Sequence, residues 1–239
     1  MGGRTIQVVT LSFFRFDRRL AKVWALWMMG AARLPLSHTA GLQFWKLCGS
    51  GTDEGFTPVP NTSVYAILCV WHDHPAAQQG LAQPVFSRFQ RRAFEHWTVF
   101  LSPVLVRGQW SGTKPFRASV PQEPRGPIAV LTRATIRPSI ALRFWRRVPG
   151  ISAVIGENRD VLFKIGIGEV PLLHQVTFSI WPDLVSMAAF ARADGPHARA
   201  IKAVRDNNWF REELYARFSI IGESGTWGGG SPLISKAVA

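Results

Sequence analysis

Residues 63–73 read SVYAILCVWHD, and residues 175–183 read QVTFSIWPD. Each is a β-rich run closed by Trp-x-Asp and followed by a helical stretch. The closures are Trp71/Asp73 and Trp181/Asp183, so Asp stands where a helix N-cap is needed in both. Further pairs fall in the same order. TIQVVTLSFFRF (5–16) matches IAVLTRATIRP (128–138), each leading to a helix that carries a Trp, Trp24 or Trp145. FWKLCGSG (44–51) matches LFKIGIGE (162–169), aligning Lys46 with Lys164. WTVFLSP (97–103) matches YARFSII (215–221), each leading to a Gly/Trp element, GQW at 108–110 and GTW at 225–227.

Such an ordered repeat signals a duplication whose loops have drifted. Each half reads β-α-β-β-α-β, the ferredoxin-like order. The expected fold class is α+β: two tandem ferredoxin-like repeats packed as a dimeric-type α+β barrel within one chain, since each sheet has a bare face that the other can cover. The repeats span 1–111 and 127–230. A Pro-rich linker occupies 112–126, and a loose tail is expected at 231–239. The second helical region covers 75–96 in the first half and 183–210 in the second. The barrel interior, or the space between sheet and helices, is the expected place for an apolar pocket.

The composition bounds the function. The chain is 47% hydrophobic and 18% charged, with ten Trp and sixteen Phe against two Tyr. That load of rings suits both a core and a grip on a flat or greasy ligand. A net charge of +13 attracts anionic partners. The positives are scattered in pairs such as Arg18-Arg19 and Arg91-Arg92, without a basic tail or zinc-finger spacing, which argues against nucleic acid. Cys48 and Cys69 form no disulfide framework and fit a reducing compartment. The N-terminus alternates like a strand and has no small-residue cleavage site. The stretch VWALWMMGAA (23–32) is about half the ~20 residues that span a bilayer. These features predict a cytoplasmic protein, soluble or peripheral on a membrane.

His197 stands in line with Ile201, Val204 and Asn208 on one stripe of a predicted helix, just after Pro196. In the first helical turn the dipole disfavours imidazolium and leaves the neutral ring that a metal needs. A core histidine satisfied by a backbone carbonyl is the other reading, and residue physics alone favours it. His72 and His74 flank Asp73 and read as surface residues. His96 reads as a helix end, His174 as the residue at the start of a strand, and His38 as a loop residue. Lys164, Arg133 and Arg217 fall on predicted strands, where charge means either a solvent face or cations awaiting carboxylates. The sequence has no H-E-x-x-H, C-x-x-C, Walker or G-x-S-x-G motif, and Gly166-Ile167-Gly168 lacks the third Gly of a dinucleotide loop.

VLFKIGIGEVPLLHQVTFSIWPD (161–183) and HARAIKAVRDNNWFREELYARFSIIG (197–222) resemble the spheroidene monooxygenase family, carotenoid C-2 ketolases of purple bacteria. The resemblance runs from TLSFFRF at residue 10 to GTWGG near residue 229. It implies a heme-dependent monooxygenase that oxidises C-2 of spheroidene-type acyclic carotenoids to the ketone, with O2 and electrons from a ferredoxin-type acidic donor. With the helix-start reading it makes His197 the expected proximal iron ligand; Lys164 or Arg217, from their strand positions, are the expected cations for the heme propionates. A membrane-dissolved substrate and a positive protein together predict peripheral docking on an anionic membrane surface, inner or photosynthetic. Two rivals remain: a non-enzymatic heme or carotenoid carrier, and a cofactor-free monooxygenase on the same barrel.

Overall fold

The computed structural model describes residues 6–55, 57–119, 126–146, 161–192 and 209–234. Eight strands close into one antiparallel barrel: β1 (Val8–Arg15), β2 (Leu42–Gly51), β3 (Pro60–Trp71), β4 (Glu95–Gly108), β5 (Ile128–Ile136), β6 (Phe163–Gly168), β7 (His174–Trp181) and β8 (Phe210–Gly225). Around the ring they run β1-β3-β2-β6-β7-β5-β8-β4. The α+β barrel is therefore as expected. Within residues 8–108, β1 pairs with β3 and β4, and β3 with β2. Within residues 128–225, β5 pairs with β7 and β8, and β7 with β6.

Strand alternation divides the side chains between two compartments. Val9, Leu11 and Phe13 of β1 point inward, while Val8 and Phe14 point outward, and all are buried. A strand buried on both faces reads as a nearly unbroken apolar run, which is why VYAILCVW in β3 shows no polar alternation. The interior is full. The rings of Phe13, Trp97, Phe163 and Phe178 touch one another, with centroids 5.0 to 6.2 Å apart. Of the two expected pocket locations, the barrel interior is thus closed by aromatic packing.

Helices cover the outside. In the first half these are α1 (Arg19–Ala31), α2 (Arg33–Ser37), α3 (His74–Leu81) and α4 (Pro84–Arg92); in the second, the described residues include a helical segment over 138–146 that carries Trp145, and α5 (Leu184–Arg192). Both expected caps are present. Asp73 accepts from the Ala76 N–H at 2.8 Å, and Asp183 from the Ser186 N–H at 2.7 Å. The region read as one helix over 75–96 breaks before Pro84, which has no N–H to continue α3. His96 is not at a helix end, because the chain is already in β4 there. Phe14, Phe16, Trp71, Phe86, Phe89 and Phe100 form the centre of the first-half layer between sheet and helices.

The ring is uneven. β4 and β8 are matched at eleven positions, whereas β2 and β6 are matched at two, Gly49 with Gly168 and Ser50 with Ile167. Side chains and a turn stitch this short seam. The Ser50 hydroxyl donates to the Gly166 carbonyl at 2.9 Å. The 3-10 turn Asp53–Gly55 lies so close that a Cβ on Gly55 would sit 1.7 Å from the Gly166 oxygen. Of the tail expected from residue 231, the described part is held to the barrel: Ser231 donates to Glu223, and Leu233 packs against the interior cluster. Residues 235–239 lie outside the described residues.

Candidate functional site

Strand register makes positions in the two halves comparable. Val8 pairs with Trp71 as Ile128 pairs with Trp181, and counting along the strands from there sets the equivalences. One row across the first outer face reads Trp45–Cys69–Thr10–Phe100. Its counterpart on the second face reads Lys164–Ser179–Val130–Arg217. In the next row Leu47 and Ile67 give way to Gly166 and Thr177. Phe14 gives way to Ala134. At these positions the first face is bulkier and more apolar, and the second is smaller with two cations, although Thr98 of the first face stands where the second has Tyr215.

The structure brings Lys164 and Arg217 onto this one row of one face. They are three inter-strand spacings apart, about 14 Å along the sheet. Both are half-buried. The Arg217 Nε is shielded from solvent and has no hydrogen-bond partner among the described residues. A buried N–H left unpaired carries a desolvation cost, so it is a strong donor for an anionic group reaching that face. Ile128, Val130, Trp181 and Met187 form the apolar end of the same face, with Leu184 and Tyr215 against them.

The alignment of Lys46 with Lys164 does not hold in space. Lys46 pairs with Leu68 and faces the interior, while Lys164 pairs with Ser179 and faces outward. The register of β2 shifts between Leu42 and Phe44, and one extra residue turns every following side chain to the other face. Trp45, not Lys46, is the counterpart of Lys164.

Arg133 is not on a solvent face but meets carboxylates, the second of its two readings. Its side chain faces inward at one mouth of the barrel, and its carboxylate partners are the protein's own. It pairs with Glu212 and stands 3.8 Å from Glu169. Lys46 holds Glu169 at 2.7 Å, and the Trp110 indole N–H donates to Glu169 at 2.6 Å. His174 Nδ1 lies 3.7 Å from the same carboxylate, too far for a hydrogen bond. Burial lowers the His174 pKa most; Glu169 opposes that, and Arg133 and Lys46 add to it. Burial pushes the Glu212 carboxyl up, but the Gly112 and Ser111 N–H groups and Arg133 outweigh it and hold the group below its usual range. This network was missed in the sequence. Its signal is alternation: Ile165, Ile167 and Glu169, and likewise Glu212, Leu214 and Ala216, continue one inward row into a charge.

The remaining expectations divide cleanly. His197, with Ile201, Val204 and Asn208, lies outside the described residues. His72 is exposed, 3.3 Å from Asp73. His174 opens β7 as expected. Among the described residues, no group of three or more His, Cys, Asp and Glu side chains could hold a metal ion. Cys48 and Cys69 are free, fully buried thiols, and burial pushes both pKa values well up. Among the described residues, no helix is long and apolar enough to cross a membrane.

No family model matches the chain. Curated relatives do. The chain is 51% identical over 230 residues to the spheroidene monooxygenase of Cereibacter sphaeroides, covering 95% of this chain and 71% of the relative. It is 48% identical over 234 residues to that of Rhodobacter capsulatus, covering 97% of each. It is 34% identical over 210 residues to that of Rubrivivax gelatinosus, covering 87% of this chain and 80% of the relative. Among solved structures, an aldoxime dehydratase in complex with butyraldoxime superposes with a TM-score of 0.63 at 11% identity, over 96% of this chain and 87% of that one. A second aldoxime dehydratase gives 0.59 at 11% identity, over 90% and 82%. At such identity the likeness is one of fold.

Proposed function

The chain belongs to the spheroidene monooxygenase family, and on that footing we propose that it is a carotenoid monooxygenase whose heme lies against the outer face of the β6-β7-β5-β8 sheet. The observation that carries the site is the row Lys164–Ser179–Val130–Arg217, which stands where the other half has Trp45–Cys69–Thr10–Phe100. We read the two sets of four strands as copies of one ferredoxin-like unit. In that reading one copy keeps a packed face and the other has traded bulk for space and positive charge.

The residues present fit a heme. Its two propionates need cations, and Lys164 and Arg217 flank the face, the latter with its buried Nε unpartnered. The porphyrin needs an apolar neighbour, which Ile128, Val130 and Trp181 supply. The proposed proximal ligand is His197, in the chain between α5 and β8. Bound heme iron would supply the binding and activation of O2. The chain's part is to orient the substrate and exclude water: apolar side chains bind the polyene, and the cations fix the cofactor's edge. The proposed substrate is an acyclic, spheroidene-type carotenoid oxidised at C-2. Each oxygenation inserts one oxygen atom into a C–H bond. Two electrons from a ferredoxin-type acidic donor and two protons carry the other atom to water. A second oxygenation at C-2 gives a gem-diol that loses water to the ketone. Because the substrate dissolves in a membrane, the proposed setting is the cytoplasmic side of an anionic membrane surface.

The test is an absorption spectrum of the purified protein, with and without dithionite and CO, beside a conversion assay with spheroidene, O2 and reductant. A Soret band that shifts with CO, together with a C-2 ketone, supports the reading. Turnover without a Soret band means a cofactor-free oxygenase, and pigment binding without ketone means a carrier.

A further inference from the structure

Helix α1 wears its apolar residues on the wrong side. Its inner stripe, Ala25 and Met28, is buried as a surface helix requires. Its opposite stripe is Leu20, Val23, Leu26 and Trp27, also apolar and open to solvent, with Leu20 85% and Trp27 65% exposed. Leu34 of α2 and Phe94 after α4 are exposed as well. Isolated exposed leucines are ordinary, but a whole helix face of them is a contact surface.

Charge surrounds this face on one sign. Residues 17–37 and 83–94 contain seven Lys and Arg against one acid, Asp17. Between α1 and α4 runs a cleft of about 370 Å³ lined by Trp24, Trp27, Met28, Arg88, Arg91 and Arg92. Its floor is apolar and one wall is guanidinium, with Arg92 stacked over the Trp24 ring at 4.6 Å. An apolar face with an interfacial Trp and a basic rim is the chemistry of a helix lying in the plane of a bilayer.

We propose that the solvent face of α1, with the α4 arginines beside it, is the surface by which the protein docks on anionic lipid. Leu20, Val23 and Trp27 enter the headgroup–acyl boundary, and Arg88 and Arg91 meet the lipid phosphates. The proposal rests on the membrane-borne substrate proposed above for its purpose, although its evidence is α1 and α4 alone. An acidic protein donor would answer the arginines but leave the four apolar side chains without a partner, and lipid answers both. The face belongs to the half of the barrel opposite the Lys164–Arg217 row, so docking and the cofactor face are separate surfaces.

The test is co-sedimentation of the whole protein with phosphatidylcholine vesicles, with and without phosphatidylglycerol, and without carotenoid. Two exposed-residue variants are compared, Leu20→Ser/Trp27→Ser and Arg88→Gln/Arg91→Gln, with circular dichroism confirming that both fold. Wild type binds the phosphatidylglycerol vesicles, and each variant binds on the order of tenfold more weakly. Salt weakens wild type more than the arginine variant. Carotenoid oxidation in detergent micelles is unchanged in both, which separates failure of docking from failure of the enzymatic reading. Vesicle binding by both variants at the wild-type level overturns the proposal. So does the serine variant turning a dimer into a monomer with vesicle binding intact, which would make the face a self-interface. Loss of reduction by an acidic ferredoxin with vesicle binding intact would make it a donor dock, and also overturns it.

Discussion

Phe100 and Arg217 occupy the same place in the two halves of the barrel: each is on the last strand of its half, facing outward, across from Thr10 and Val130 respectively. Phe100 is buried under the helices of its half, whereas Arg217 holds a shielded Nε with no hydrogen-bond partner among the described residues. The same register position holds a packed ring in one half and an arginine in the other. Arg217→Phe, which installs the first half's residue in the second, is expected to fold and to bind heme about 2 kcal/mol more weakly, roughly thirtyfold, through loss of one charge-assisted hydrogen bond. Titration of the apoprotein with hemin, followed at the Soret band, measures this. A wild-type curve would remove Arg217 from the site.

His197→Ala is expected to lose or shift the Soret band and to lose ketone formation while keeping its far-UV circular dichroism. Added imidazole restores part of the band by filling the place of the ring. An unaltered band and full activity would move the ligand elsewhere, to His174 first and then His96. Both face less promising ground: His174 sits at the barrel mouth beside Glu169, and His96 is on β4 across from Phe14.

Arg133→Met leaves Glu212 and Glu169 short of a partner in a largely buried network, and this costs about 3 kcal/mol of stability. Urea unfolding measures it. The double variant Arg133→Met/Glu212→Gln loses less than the two singles together, because the carboxylate left unpaired in the first is neutral in the second. Strict additivity would mean the two groups do not interact.

Acid destabilises the fold in two stages. His174, ordinarily near 6.5, is held lower when folded, so the unfolded chain takes up its proton first as pH falls below that value. Glu212, ordinarily 4.5, is also held lower, so its contribution is present above that pH and is lost as pH drops through the folded value. Unfolding free energy against pH should therefore fall gently below about 6.5 and more steeply below about 4.5. His174→Gln removes part of the first stage and Glu212→Gln part of the second. Profiles parallel to wild type would contradict this assignment.

Much of the architecture was legible because it is written in strand periodicity and in two Trp-x-Asp closures, both local signals. The Asp73 and Asp183 caps and the strand at His174 follow from the same cues. What stayed hidden was register. Lys46 and Lys164 look like equivalents in a line of letters, but a bulge near Gln43 sends one into the barrel and the other out of it. Arg133 and Arg217 are both strand arginines. Only the pairing shows that Arg133 meets Glu212 inside and that Arg217 stands outside. The Trp110–Glu169 bond joins residues 59 apart, across a closure that no local pattern announces.

The two-position seam between β2 and β6 gives the ring a clasp. Elsewhere, breaking the barrel means unzipping ladders of five or more matched positions; at Gly49 and Ser50 it means parting two matched positions, one hydroxyl bond, the Asp53–Gly55 turn and the Lys46–Glu169 pair. The seam is therefore expected to open before the longer ladders in thermal fluctuation. Amide exchange should be fastest along that line, well before the β4–β8 ladder gives way. Here the motion would be a brief unfastening of one side of the ring.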